Sequence, residues 1–187
     1  TKNRSLELPE ELKGIYDEKE YRRSQEYERD NQTMALITSS FNLVVILLFL
    51  FFDGFALVDQ LARQVTSHPI LIPLVFFGIL MFAFDLINLP FAFYDTFVIE
   101  EKYGFNTTTI STFLSDKLKG WLLSAILGGG LLALVVWFYL QTQEMFWIYA
   151  WVLITGFSIF MTMFYTRWIL PLFNKLSPLD EGELRSN

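Results

Sequence analysis

The chain has no cysteine and a single histidine, His68. The first absence excludes disulfides, a thiol nucleophile and thiolate metal ligation. The second excludes the H-E-x-x-H zinc pattern, which needs two histidines on one helix face and a glutamate to activate water. A lone histidine in a loop reads as incidental rather than as a ligand. There is no G-x-S-x-G. Gly128, Gly129 and Gly130 have no Lys-Ser/Thr after them and no strand before them, so they are not a phosphate loop. Basic residues are outnumbered, 14 Lys and Arg against 20 Asp and Glu, which leaves no basic face for nucleic acid. No catalytic, cofactor-binding or metal-ligating residue is therefore assigned to these 187 residues.

What the chain has is apolar length. It is 53% hydrophobic and 18% aromatic, and its mean hydropathy is positive. About 20 consecutive apolar residues cross the hydrocarbon core as a helix. Four runs qualify: 34–52, 70–94 with Asp85 as its one charge, 120–143 and 145–166. None alternates as a barrel strand would. The expected fold is all-α: a polytopic membrane helix bundle with four transmembrane helices and amphipathic cytoplasmic helices. The expected divisions are a polar helical segment over 1–33, a membrane region over 34–172 with a polar loop at 95–119, and a polar tail over 173–187. No secretory signal peptide is visible in the first 33 residues, so insertion is expected to use the first span or something upstream.

Within this plan, Pro9, Glu10 and Glu11 suit a helix start. The alternating charges from Ile15 to Asp30 suit a solvated helix at the membrane mouth, or one wall of a substrate opening. Ser39, Ser40 and Asn42 permit interhelical hydrogen bonds. Residues 56–69 read as a loop. Asp85 and Asn88 are three apart and share a helix face. A carboxylate at that depth faces protein or water, so the pair either braces a neighbouring helix or lines a polar cavity. Pro90 is expected to kink the helix near Leu86, and Asp95 to end it. Residues 107–119 read as a short amphipathic helix with Phe113, Leu114 and Leu118 on lipid. The three glycines allow either close packing against a neighbour or a flexible point. Residues 141–144 are short enough to make the last two spans an antiparallel hairpin, and Phe146, Trp147, Tyr149, Trp151, Tyr165 and Trp168 form aromatic girdles.

The most informative stretch is 97–109, FVIEEKYGFNTTT. It is a polar island in which Gly104 breaks the helix and residues 106–109 offer capping oxygens. The run V-I-E-E-K-Y-G-F-N resembles a loop in the N-terminal membrane region of the CaaX prenyl proteases, the Ste24-type zinc metalloproteases. Two more segments resemble that family in order: 8–30 with P-E-E-L, and 170–184, LPLFNKLSPLDEGEL, which contains Pro171, Leu172, Phe173 and Asn174. Tyr103 departs from the resemblance, standing where relatives often carry histidine.

The resemblance implies the second to fifth membrane helices of such a protease, with a further helix before them and the zinc domain after them. It implies a membrane-embedded chamber that admits prenylated or membrane-bound peptide substrates. It implies that Asp85 and Asn88 line that chamber, and that Glu100, Glu101, Lys102, Gly104, Phe105 and Asn106 pack against the zinc domain. No cofactor is expected in this chain itself; zinc is expected in that catalytic domain, and the partners are lipid, substrate and the rest of the protease. Placing the N-terminus, the 95–119 loop and the tail on one side puts every Lys and Arg except Arg63 there. The positive-inside rule makes that side cytoplasmic, in the endoplasmic reticulum or a bacterial inner membrane. The other reading is a non-catalytic four-span scaffold or transporter subunit.

Overall fold

The computed structural model describes residues 17–174. The helix start expected near Pro9 and the tail from residue 175 onward lie outside them. All regular structure in the described residues is helical. The helices are α1 (Glu18–Phe51), α2 (Gly54–Val65), α3 (Leu71–Tyr94), α4 (Glu101–Tyr103), α5 (Ile110–Leu123), α6 (Gly129–Thr142), α7 (Phe146–Phe164) and α8 (Leu170–Phe173). π-helical segments join α3 to α4 (Asp95–Glu100), α5 to α6 (Ser124–Gly128) and α7 to α8 (Tyr165–Ile169). Three helical stretches are long and apolar enough to cross a membrane: Glu18–Phe51, Leu71–Tyr103 and Ile110–Phe173.

The described residues form two compact units. One runs to Ser67 and includes Val75–Ile110; the other holds His68–Leu74 and the chain from Ser111 onward. In the first unit, α1 begins at Asp17, whose carboxylate accepts a hydrogen bond from the Lys19 amide at 2.8 Å. Its 34 residues make a rod of about 51 Å at 1.5 Å per residue, well beyond a hydrocarbon core of about 30 Å. The described part of the polar segment, residues 18–33, is therefore continuous with the first apolar helix. Backbone hydrogen bonding is indifferent to the change of side-chain polarity at Met34.

The chain reverses at Asp53, which takes a left-handed φ of 53°. Gly54 follows because a Cβ there would meet the Phe49 ring at 2.5 Å. Residues 56–65, which read as a loop, are helical and belong to α2. α3 carries Pro90 inside it without stopping, and the helix runs past Asp95 to Tyr103. Gly104, at φ 72°, ends it in the left-handed region.

In the second unit, no separate amphipathic helix occupies 107–119. α5 starts at Ile110 and leads without a break into α6. A Cβ at Gly128, Gly129 or Gly130 would meet nothing within 4 Å, so no close neighbour accounts for these glycines among the described residues. The chain turns at Gln143, with φ 39°. Phe138 then stacks on Tyr149 at 5.6 Å and Tyr139 meets Phe146 edge-on at 5.3 Å. α6 and α7 thus form the expected antiparallel hairpin.

Few apolar side chains are covered. The buried ones among the described residues are Val58, Ala62, Ile99, Tyr103 and Ala150, while Leu36, Phe51, Met163 and many others stand open. Such apolar exposure fits a lipid solvent and not water. Hydroxyls on these helices bond their own backbone: Ser158 to the Ile154 carbonyl at 2.8 Å and Thr162 to that of Ser158 at 2.9 Å.

Candidate functional site

The first unit holds a polar contact between two apolar helices. Asn42 of α1 donates its amide to Asn88 Oδ1 at 2.9 Å. Asn88 in turn donates to the Phe84 carbonyl at 2.9 Å. Both groups of Asn88 are thereby engaged, and its ring of contacts is fixed by one neighbour and its own helix. Asn42 Oδ1 is buried without a partner. Asn88 also lines a groove of ≈ 550 Å³ between α1 and α3, together with Asn31, Ser39, Asp95 and Phe91. The groove thus mixes amide, hydroxyl and carboxylate groups with the apolar side chains of Met34, Ala35 and Ala92.

The second constellation lies at the end of α4. Tyr103 is 4% exposed, and its ring sits edge-on to Tyr27 of α1 at 5.2 Å. Phe105 meets the other side of the Tyr27 contact at 4.9 Å. The Tyr103 hydroxyl donates to Asp30 Oδ2 at 2.8 Å, and the Lys102 ammonium donates to the same oxygen at 2.7 Å. The Arg23 guanidinium donates to the Tyr103 carbonyl. Gly104 leaves room for Arg23, because a Cβ there would stand 3.3 Å from its guanidinium nitrogen. Asn106 closes the turn, accepting from the Thr108 amide at 2.7 Å and donating to Glu101 at 2.9 Å. The Glu100 carbonyl accepts from the Phe105 amide at 2.9 Å.

These contacts lie on the polar segments beyond the apolar spans, and their charges reinforce one another. Hydrogen bonds from Lys102 first, and then Tyr103, hold the Asp30 carboxyl below its ordinary pKa. The Asp30 hydrogen bond raises Lys102. Burial first, then the bond to Asp30, raises the Tyr103 phenol. The cluster is a charged staple that ties the outer half of α1 to the end of α4.

The structure places the candidate residues unequally. Asn88 borders the groove; Asp85, half-buried on the same helix, is not among its lining residues. Lys102 and Phe105 lie against α1, and Glu101 and Asn106 bond each other. Pro171 falls in α8, and Asn174 caps that helix, its amide bonding the Leu170 carbonyl at 3.0 Å. Arg23, Tyr27 and Asp30 were not singled out by sequence. No local pattern pairs residue 30 with residues 102 and 103.

Among the described residues, no group of three or more His, Cys, Asp or Glu side chains is placed to hold a metal ion.

Residues 1–175 match the family described as CAAX prenyl protease N-terminal, five membrane helices. The probable CAAX prenyl protease 1 of Schizosaccharomyces pombe is 37% identical over 91% of this chain and 39% of its own length. The CAAX prenyl protease 1 homolog of Mus musculus is 31% identical over 95% of this chain, again 39% of its length. A crystal structure of S. mikatae Ste24p superposes with a TM-score of 0.88 at 29% identity, covering 96% of this chain and 43% of that one. The chain thus spans about two fifths of the length of the relatives it matches. It belongs to the CAAX prenyl protease N-terminal family, the membrane region of the Ste24-type proteases.

Proposed function

We propose that this chain is the membrane-embedded part of a CaaX-type zinc endopeptidase and forms part of a chamber that admits prenylated or membrane-bound peptides. The observation that supports the proposal is the groove along α1 and α3, whose apolar lining carries Asn31, Thr38, Ser39 and Asp95, with Asn88 held at its border by Asn42. Asp85 and Asn88 supply the polar face of that chamber. Their task is to keep water and extended peptide stable beside apolar helices. They carry no bond-breaking role. The zinc site and its hydrolytic chemistry belong to a domain outside these 187 residues, since the chain's single histidine cannot furnish a two-histidine site.

In this proposal four spans cross the bilayer, the helical hairpin counting as two. Residues 1–33 and the 95–119 segment, both termini included, face the cytoplasm of an endoplasmic reticulum or bacterial inner membrane. Residues 34–172 form the membrane region and 173–187 lead toward the zinc domain. Glu100, Glu101, Lys102, Gly104, Phe105 and Asn106 pack against that domain with the surface that α1 leaves open.

The test is thiol labelling of Asn88→Cys in the full-length protein, with its other reactive cysteines removed. A membrane-impermeant reagent is expected to modify Cys at this position from the aqueous phase. Asp85→Leu in the same background should reduce that access. Labelling by a lipophilic reagent alone, unchanged by Asp85→Leu, would remove the chamber reading.

A further inference from the structure

The helix that the sequence concealed, α2, has two unlike sides. At 100° per residue, Leu57, Leu61, Gly54, Val65, Val58, Ala62 and Phe55 occupy one continuous arc. Asp59, Arg63, Gln60 and Gln64 occupy the opposite arc, with the Arg63 guanidinium donating to Asp59 at 2.7 Å. The apolar arc is only half used. Gly54, Val58 and Ala62 are buried. Leu57, Leu61 and Val65 are 57%, 41% and 70% exposed. Phe51 and Phe52, at the join between α1 and α2, are 80% and 72% exposed.

Covalent continuity says what covers this edge. Only Phe52 and Asp53 separate α2 from the apolar end of α1, and only residues 66–70 separate it from α3. Five residues reach at most about 17 Å, so both ends of α2 are held where two spans leave the bilayer. At 12 residues it is about 18 Å long, too short to cross a core of about 30 Å. Its ion pair also bars it from the core. A short helix with one charged and one apolar side, fixed at that depth, lies along the interface.

We infer that α2 is a membrane-surface helix: Leu57, Leu61 and Val65, with Phe51 and Phe52, seat in the headgroup–acyl boundary of the leaflet opposite the Gly104 turn. The occupant of the exposed edge is lipid. This rests on the reading of α1 and α3 as membrane spans, and it makes α2 a strut that fixes how deep their ends sit.

The experiment uses the full-length protein without other reactive cysteines, reconstituted in phosphatidylcholine vesicles. An environment-sensitive fluorophore is attached at Leu57→Cys, Gln60→Cys, Leu61→Cys, Gln64→Cys or Val65→Cys. Quenching by nitroxide-labelled lipid is compared with quenching by aqueous iodide. The lipid-to-iodide ratio is expected to be high at 57, 61 and 65 and low at 60 and 64. A low ratio at all five positions, or protection from both quenchers at 57, 61 and 65, overturns the inference; the second result would mean that protein covers the edge. Retention of the protein in carbonate-washed membranes tests the spans separately. Retention with no periodic ratio removes the α2 inference alone, whereas release by carbonate removes both.

Discussion

Tyr103 shows how one buried side chain can serve two contacts at once. Its ring fills the space against Tyr27, and its hydroxyl holds the Asp30 carboxylate. The two contributions separate by substitution. Tyr103→Phe keeps the ring and loses one hydrogen bond, an expected cost of about 1 kcal/mol. Tyr103→Ala empties the site and should cost about 3 kcal/mol or more. Equal losses in denaturant titrations of the two variants would contradict the packing role of the ring. Asp30 adds a pH dependence. Its folded-state pKa is lowered, so its stabilising contribution is present above its unfolded value of about 4 and fades as the pH falls through the folded value. The melting temperature of the wild type should fall more than that of Asp30→Asn on acidification below about pH 4. Parallel curves would show that the carboxylate adds nothing to folding. None of this was legible from residues alone. Lys102 stands out in the sequence, but its partner Asp30 lies 72 positions away on α1. Asn88 did stand out, because an amide in an apolar run signals a polar contact; which residue would meet it did not.

At the scale of elements, the apolar runs announced helices but not their ends. The change from charged to apolar at Met34 looks like a boundary between two elements, and the backbone ignores it. The same holds at the other end of the pair: Glu100, Glu101 and Lys102 are as polar as a loop, yet the helix stops only at Gly104, where a left-handed residue is required. α2 was hidden by Asp59, Gln60, Arg63 and Gln64, which read as loop residues while their apolar neighbours repeat at helical spacing. The continuity of α1 has a direct consequence. Proline at position 33 removes an interior hydrogen bond from a 34-residue rod and should cost about 3 kcal/mol. It should also detach Arg23, Tyr27 and Asp30 from the end of α4, seen as faster hydrogen exchange at Tyr103 and Gly104. A substitution that leaves exchange there unchanged would mean that the two halves of α1 are hinged.

For the whole molecule, helical class and membrane character were legible because they depend on composition summed over long windows. The family was legible because three short segments in order are more specific than any of them alone. The depth of each helix end was not, since it depends on neighbours and lipid rather than on local pattern. The proposed orientation makes a prediction of its own. The acceptor triplets at Asn31 and Asn106 should stay unglycosylated in a competent membrane system, while an acceptor introduced near His68 should be modified. Modification at Asn106 would invert the topology. The proposed chamber puts Asn88 beside the path of a CaaX substrate. The measurement is cleavage of a prenylated CaaX peptide by the full-length protein carrying Asn88→Cys and no other reactive cysteine, before and after a bulky water-soluble methanethiosulfonate couples to that thiol as a mixed disulfide. Cleavage is expected to proceed before modification and to be blocked after it, with a reducing agent restoring it. Full cleavage by quantitatively modified protein would place the substrate path away from the α1–α3 groove.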